Sequence, residues 1–168
     1  ELVITGDDVA WAGTKAGLFR HDLSHASTTF SLPQEFVETF RNSEISAIAS
    51  DLKGNIYIAS GLNIYKFSKN SALLENVKWV ESTNDDRDKI TALVLSSNGR
   101  IFIGTDKGLL VSQDIANSKD QVIVNLGEKS PISITTLLFH NKLLWIGTNH
   151  GLSYSGEALS FFETYLSQ

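Results

Sequence analysis

The sequence contains no cysteine and no methionine, and only 2 prolines in 168 residues. Without cysteine there is no disulfide, no thiolate nucleophile and no sulfur-ligated zinc, whichever compartment the chain occupies. A chain of this length can bury enough surface to fold on its own core without such staples. Long apolar runs are missing too: none approaches the roughly 20 residues of a membrane-spanning helix, and there is no secretory apolar segment. Methionine is absent even at position 1, where Glu1 stands, so we expect a mature form or an excised piece of a longer protein. Basic runs are absent and the net charge is −5, so the cationic footprint of a nucleic-acid binder is lacking. None of the 11 asparagines lies in an Asn-x-Ser/Thr sequon, which fits a bacterial surface or periplasmic protein.

What the sequence does contain is a repeat. The segments VAWAGTKAGLF (9–19), NIYIASGLNIY (55–65), RIFIGTDKGLL (100–110) and LLWIGTNHGLS (143–153) align without gaps. Trp11, Tyr57, Phe102 and Trp145 then share one column, at steps of 46, 45 and 43 residues. Gly13, Ala59, Gly104 and Gly147 keep the same steps, as do Thr14, Ser60, Thr105 and Thr148. Three columns on one period identify a structural repeat.

Upstream of three of these aromatics lies a short β-branched segment: ISAIAS (45–50), ITALVL (90–95) or ITTLLF (134–139). Turn residues follow each one, so the pattern reads as strand, hairpin turn and aromatic-bearing strand. A second turn comes after the Gly-Thr pair, where Gly17, Gly108 and Gly151 occupy a position suited to a left-handed backbone. Asn63 stands there in the second repeat and is expected to adopt that conformation. A third strand (GLFRHDL, NIYKFS, GLLVSQ, GLSYS) and a fourth (TTFSL, VKWVE, QVIVNL, LSFFETY) complete each repeat. Only Gln34–Arg41 suggests a short turn of helix.

These features predict an all-β chain: a β-propeller with four four-stranded antiparallel blades of about 45 residues each. The chain reads as a single β-propeller unit over 1–168, with blades near 1–32, 43–82, 88–127 and 132–166. The aromatic column should pack between neighbouring sheets as core, while Trp79 and Tyr154 lie outside it and are open to exposure. Aligned on its aromatic, the first blade begins one residue upstream of Glu1, and no spare strand remains to latch the termini. Three arrangements follow: part of a larger propeller of roughly six to eight blades, a closed four-bladed disc, or two chains in an eight-bladed ring. The first is the leading reading.

The string I-T-x-L followed by G-x-x-[FW]-I-G-T-x-x-G-L resembles the two-component-regulator propeller repeat. Ile90–Leu110 and Ile134–Leu152 match it best, whereas Ala59-Ser60 and Ala12 depart from it. The resemblance implies an extracytoplasmic sensor region of bacterial hybrid histidine kinases and related regulators, periplasmic or at the cell surface and often directed at glycans. It also implies signal transduction, although this chain carries no kinase, transmitter or DNA-binding segment. Similar repeats occur in lyases and lectin-like proteins.

Candidate chemistry is sparse. Asn84-Asp85-Asp86-Arg87-Asp88-Lys89 is the densest charge cluster, but it lacks the glycine of a calcium loop and balances its own charge. Asp7-Asp8 reads as a turn. His21, His25, His140 and His150 have no metal-ligand spacing, and no nucleophile elbow or phosphate loop is present. We therefore expect no cofactor, no metal and no enzyme, with a lyase or hydrolase propeller as the remote alternative.

The candidate ligand-binding residues are those of one propeller rim: Lys15, Asn63, Asp106, Lys107, Asn149, His150 and Arg87. Glu44, Asp85, Glu128 and Lys129 stand on the longer connections to the same rim, and His150 is the first choice for mutation. The expected partner is a small molecule or glycan, or else another propeller segment or protein chain, a homodimer among them. A protein-interaction or oligomerisation scaffold is the second functional reading.

Overall fold

The computed structural model describes residues 1–24, 32–77, 89–112, 122–124, 132–156 and 163–166, with the side chains of 122–124 and 163–166 excepted. Backbone contacts divide the chain into two compact units, Glu1–Val77 and Lys78–Gln168.

In the first unit, β1 (Leu2–Ile4), β2 (Val9–Thr14) and β3 (Gly17–Asp22) form an antiparallel meander. Helix α1 (Gln34–Phe40) follows, where the short helical turn is expected. A second meander comprises β4 (Ile45–Ser50), β5 (Ile56–Ser60), β6 (Asn63–Ser68) and β7 (Leu73–Val77). The second unit repeats this plan. Its first sheet has β8 (Ile90–Leu95), β9 (Ile101–Thr105), β10 (Gly108–Ser112) and β11 (Val122–Val124). Its second sheet has β12 (Ile134–His140), β13 (Leu143–Thr148), β14 (Gly151–Gly156) and β15 (Glu163–Leu166). The chain is thus all-β apart from α1 among the described residues, in four antiparallel sheets of the kind propellers use.

The repeat columns acquire physical roles. In β2, burial alternates along the strand, and Val9, Trp11 and Gly13 turn toward the neighbouring sheet. Trp11 packs against Phe36 of α1 and Phe67 of β6, with ring centroids 5.9 and 5.7 Å apart. Ile48, Ile56 and Ile58 complete that core. Phe36 and Phe40 lie one helical turn apart, so both face inward and both are buried. In the second unit Phe102 stacks on Phe139 at 6.3 Å, within a core shared with Leu109, Leu144 and Ile146. Fully burying one such side chain contributes about 1.5–3 kcal/mol.

The small-residue column is where the next sheet seats. A Cβ at Gly13 would lie 2.5 Å from the Ile45 side chain, and one at Gly104 would lie 2.6 Å from that of Ile134. Each isoleucine opens the inner strand of the following sheet, just before a register shift (Ile45/Ala47, Ile134/Thr136) that recurs at Ile90/Ala92. Thr91, inside that last bulge, reaches across and donates its hydroxyl to the Ile134 carbonyl at 2.6 Å.

Three expectations need correction. In the β5–β6 turn of the second sheet the left-handed residue is Gly61 (φ 60), and Asn63 is not among the positive-φ residues. Asn63 instead pairs with Ser60 across a two-residue Gly61-Leu62 turn, so glycine at the first turn position supplies the bend. The fourth strand of this sheet already runs from Leu73 to Val77, earlier than the expected VKWVE, whose residues 78–81 lie outside the described residues. Four residues, 69–72, suffice to reverse the chain, with Ala72 at φ 52, so pairing begins earlier. Finally, Trp145 is only half-buried, unlike Trp11, Tyr57 and Phe102, and packs at a tilt on its cross-strand partner Tyr154, ring centroids 5.1 Å apart. Most of TTFSL, together with Trp79 and His25, lies outside the described residues.

Gly104→Ala should lower stability by about 1–3 kcal/mol through overpacking against Ile134. Gly6→Ala, whose Cβ would meet nothing within 4 Å, should stay within about 0.5 kcal/mol of the parent. Chemical denaturation of both variants measures this. Combining Gly104→Ala with Ile134→Ala should cost less than the two single changes together, because the clashing methyl is gone.

Candidate functional site

The Gly-Thr-x-x-Gly segments are built around their threonine. Thr14 donates its hydroxyl to the Gly17 carbonyl at 2.9 Å and accepts the Ala16 N–H at 3.0 Å. Thr105 does the same with Gly108 and Lys107, at 3.0 and 3.1 Å. Thr148 repeats it with Gly151 and His150, both at 3.0 Å. The closing glycines have φ values of 131, 147 and 136 degrees, which side chains rarely tolerate. Ser60 breaks the pattern with its turn: its hydroxyl donates instead to the Glu44 carbonyl at 3.0 Å.

This clamp presents two residues per turn to solvent. Lys15 stands on the β2–β3 turn, Asp106 and Lys107 on the β9–β10 turn, and Asn149 and His150 on the β13–β14 turn, all exposed. Asn63, also exposed, opens β6. Two of these residues also bond within their own sheet. The Asp106 carboxylate accepts the Lys89 N–H at 2.8 Å, and the Asn149 side-chain oxygen accepts that of Ser133 at 3.1 Å. Their backbone N–H groups return bonds to the same two residues, so each side chain fastens the chain entering β8 or β12. Arg87, Asp85, Glu128 and Lys129 lie outside the described residues, as do Asp86 and Asp88.

A cleft of about 250 Å³ lies in the first unit between the start of β3 and α1. Its walls are Ala16, Gly17, Leu18 and Phe19 on one side, and Leu32, Phe36, Val37 and Phe40 on the other, with Arg41 and Asn42 at the helix end. Gly17 makes the close approach possible, since a Cβ there would sit 2.9 Å from the Phe40 carbonyl oxygen. The lining is apolar with one cation, the composition of a site for a small ligand bearing an apolar body and a polar or anionic group. Lys15 adjoins this wall in sequence. The cleft was not legible beforehand, because its two walls come from a strand and a helix that only the fold brings together.

Electrostatics elsewhere in the first unit serve the scaffold. Asp7 accepts the Thr5 hydroxyl and pairs with Lys69 at 3.0 Å, and these two contacts hold its carboxyl below the usual aspartate range. The stabilisation is present above the unfolded aspartate value and is lost as pH falls through the lowered one. Exposure of both partners keeps it small. Burial pushes the Glu1 carboxyl up, against the opposing effect of the Ile48 N–H it accepts at 2.8 Å. Among the described residues, no group of three or more His, Asp or Glu side chains could hold a metal ion.

No family model and no curated protein matches this chain. Solved structures do. The extracellular domain of BT4673 from B. thetaiotaomicron, assigned to a hybrid two component system, is similar over 99% of this chain and 22% of its own. The identity is 15% and the TM-score 0.76. The extracellular domain of BT3049 from the same organism matches over the same shares, at 20% identity and a TM-score of 0.73. Virginiamycin B lyase from Staphylococcus aureus matches over 99% of this chain and 54% of its own, at 10% identity and a TM-score of 0.69. The fold is therefore a propeller-like one that these extracellular domains and the lyase share, in line with the architecture expected from the repeat motif. The chain spans about a fifth of the length of those domains, and no helix among the described residues is long and apolar enough to cross a membrane.

If Asp106 and Asn149 fasten their sheets, Asp106→Ala and Asn149→Ala should each cost about 0.5–1.5 kcal/mol in denaturant melts. Lys15→Ala, at the matching turn position, should change stability by less than about 0.5 kcal/mol. Equal effects at all three positions would contradict this division.

Proposed function

We propose that this chain is a non-catalytic, ligand-sensing β-propeller segment, acting in an extracytoplasmic sensor like the sensor regions of bacterial two-component regulators. The observation that carries the reading is the likeness to two such extracellular domains over 99% of the chain. The repeat motif supports it independently of the fold. The cleft beside α1 is the leading seat for a small molecule or glycan, with Phe19 and Arg41 offering an apolar wall and a cation. Lys15, Lys107 and His150 are further contact candidates on the turns, where side chains vary while the threonine clamp beneath them is constant, and Asn63 is a fourth beside the Gly61-Leu62 turn. Asp106, Asn149 and Arg87 complete the proposed set, the first two with oxygens already engaged in their sheets.

A lyase reading is favoured only by the likeness to virginiamycin B lyase. It requires an acid–base pair that the sequence does not provide in any recognised arrangement.

A thermal-shift screen against mono- and disaccharides and small carboxylates tests the sensor reading. A ligand at a hundred times its Kd should raise Tm by about 5–10 °C. Arg41→Ala or His150→Ala should reduce that shift while leaving the unliganded Tm unchanged, because both side chains are exposed. A complete lack of stabilisation across the screen would sink the reading. Turnover of any glycan, abolished by one turn substitution, would replace it with an enzyme.

A further inference from the structure

The cleft beside α1 has one wall made by a single stripe of residues. Phe36, Val37 and Phe40 of the helix, with Arg41 at its end, succeed one another on one side at about 100 degrees per residue. The opposite wall includes Leu18 and Phe19. Phe19 is 39% exposed and Val37 and Leu32 are half-buried, so the apolar lining is open to an incoming molecule. The only lining side chains with polar atoms are Arg41 and Asn42.

The charges around this lining are of one sign. Glu38 and Glu44 stand three residues to either side of Arg41, yet neither lines the cleft, nor does Glu35. The Glu38 carboxylate is occupied by the Gln34 side-chain amide at 3.1 Å. Among the described residues no carboxylate pairs with Arg41, and Lys15, which adjoins the opposite wall in sequence, is likewise unpaired. Arg41 is not needed to satisfy the carbonyl that ends the helix either. That of Phe40 already accepts the Ser43 N–H at 3.2 Å. An exposed guanidinium thus stands at the end of an apolar wall with no role in the scaffold.

We infer that the cleft takes a small carboxylic acid with an apolar body, its carboxylate on Arg41 and its body against Phe19 and Val37, rather than a neutral sugar. This rests on the reading of the cleft as the ligand seat and narrows it to one chemical class. A sugar carries a hydroxyl on nearly every carbon, and each would lose water without gaining a partner on these walls. A carboxylate gathers its polarity at one end, where a guanidinium meets it with two parallel N–H donors. Size agrees with the chemistry. A closed apolar cavity of roughly 150 Å³ holds one benzene, so about 250 Å³ seats one ring or branched chain with a short acidic tail.

Isothermal titration with benzoate, phenylacetate and isovalerate, each up to about 10 mM, tests the inference at the affinities expected of fragments this small. At least one acid should bind at a single site, and its matched primary amide should bind about five- to tenfold more weakly. Arg41→Gln should bring the acid down to the level of the amide, and Phe19→Ser should weaken both. Lys53→Gln, which removes an exposed cation from the β4–β5 turn, should change neither. Thermal melts establish that the variants are folded. Failure of all three acids to bind overturns the inference, as does an amide that binds equally well or acid binding that survives Arg41→Gln. Glucose and cellobiose titrated in parallel keep the two readings apart. Sugar binding that Phe19→Ser abolishes, without any acid binding, overturns the carboxylate assignment and leaves the sensor reading standing.

Discussion

The structure depends on isoleucine being seated against bare backbone. Ile45 approaches β2 where Gly13 has no side chain, and Ile134 approaches β9 at Gly104 in the same way. A four-stranded sheet cannot bury both faces by itself, so each sheet needs a neighbour close enough to exclude water. The missing Cβ lets the inner strand of one sheet come within contact of the second strand of another. Aromatic packing by Trp11 and Phe102 then fills the broader space further out along the same faces. The bulge after each isoleucine belongs to this arrangement, since it re-aims the strand once its first side chain has been placed.

Much of the fold could be read from spacing because the repeat repeats its physics. The inner strands at 45–50 and 90–95 and the third strand at 63–68 occur where periodicity and turn residues place them. The misreadings arose where the second sheet departs from the others. Asn63 occupies the glycine column and tolerates a left-handed backbone, yet Gly61 two residues earlier bends the chain at lower steric cost. The strand VKWVE has a persuasive β composition, but Leu73 already pairs with Ser68 across a short loop. Local propensity identifies what can be a strand. Only the pairing partner decides where one begins.

The site was less legible than the scaffold. Position on a turn tip groups Lys15, Asp106 and Asn149 together, but their surroundings separate them. Asp106 and Asn149 find an unbonded N–H at the entry to their own sheet, while Lys15 carries a donor where they carry an acceptor. Nothing in the sequence announces which backbone N–H will lie near a given side chain. The cleft was hidden for a similar reason: Phe19 and Arg41 are ordinary residues until β3 and α1 enclose a space between them.

The threonine clamp has a practical corollary. Its hydroxyl bonds only to main-chain atoms, so the clamp itself asks nothing of the two intervening side chains. Where neither of them is engaged by the frame, the turn is an exchangeable cassette. Dipeptides could be randomised at 15–16 to build a library of affinity reagents. At 106–107 the carboxylate and at 149–150 the asparagine amide would have to be retained, because there the frame has borrowed one of the displayed side chains for itself.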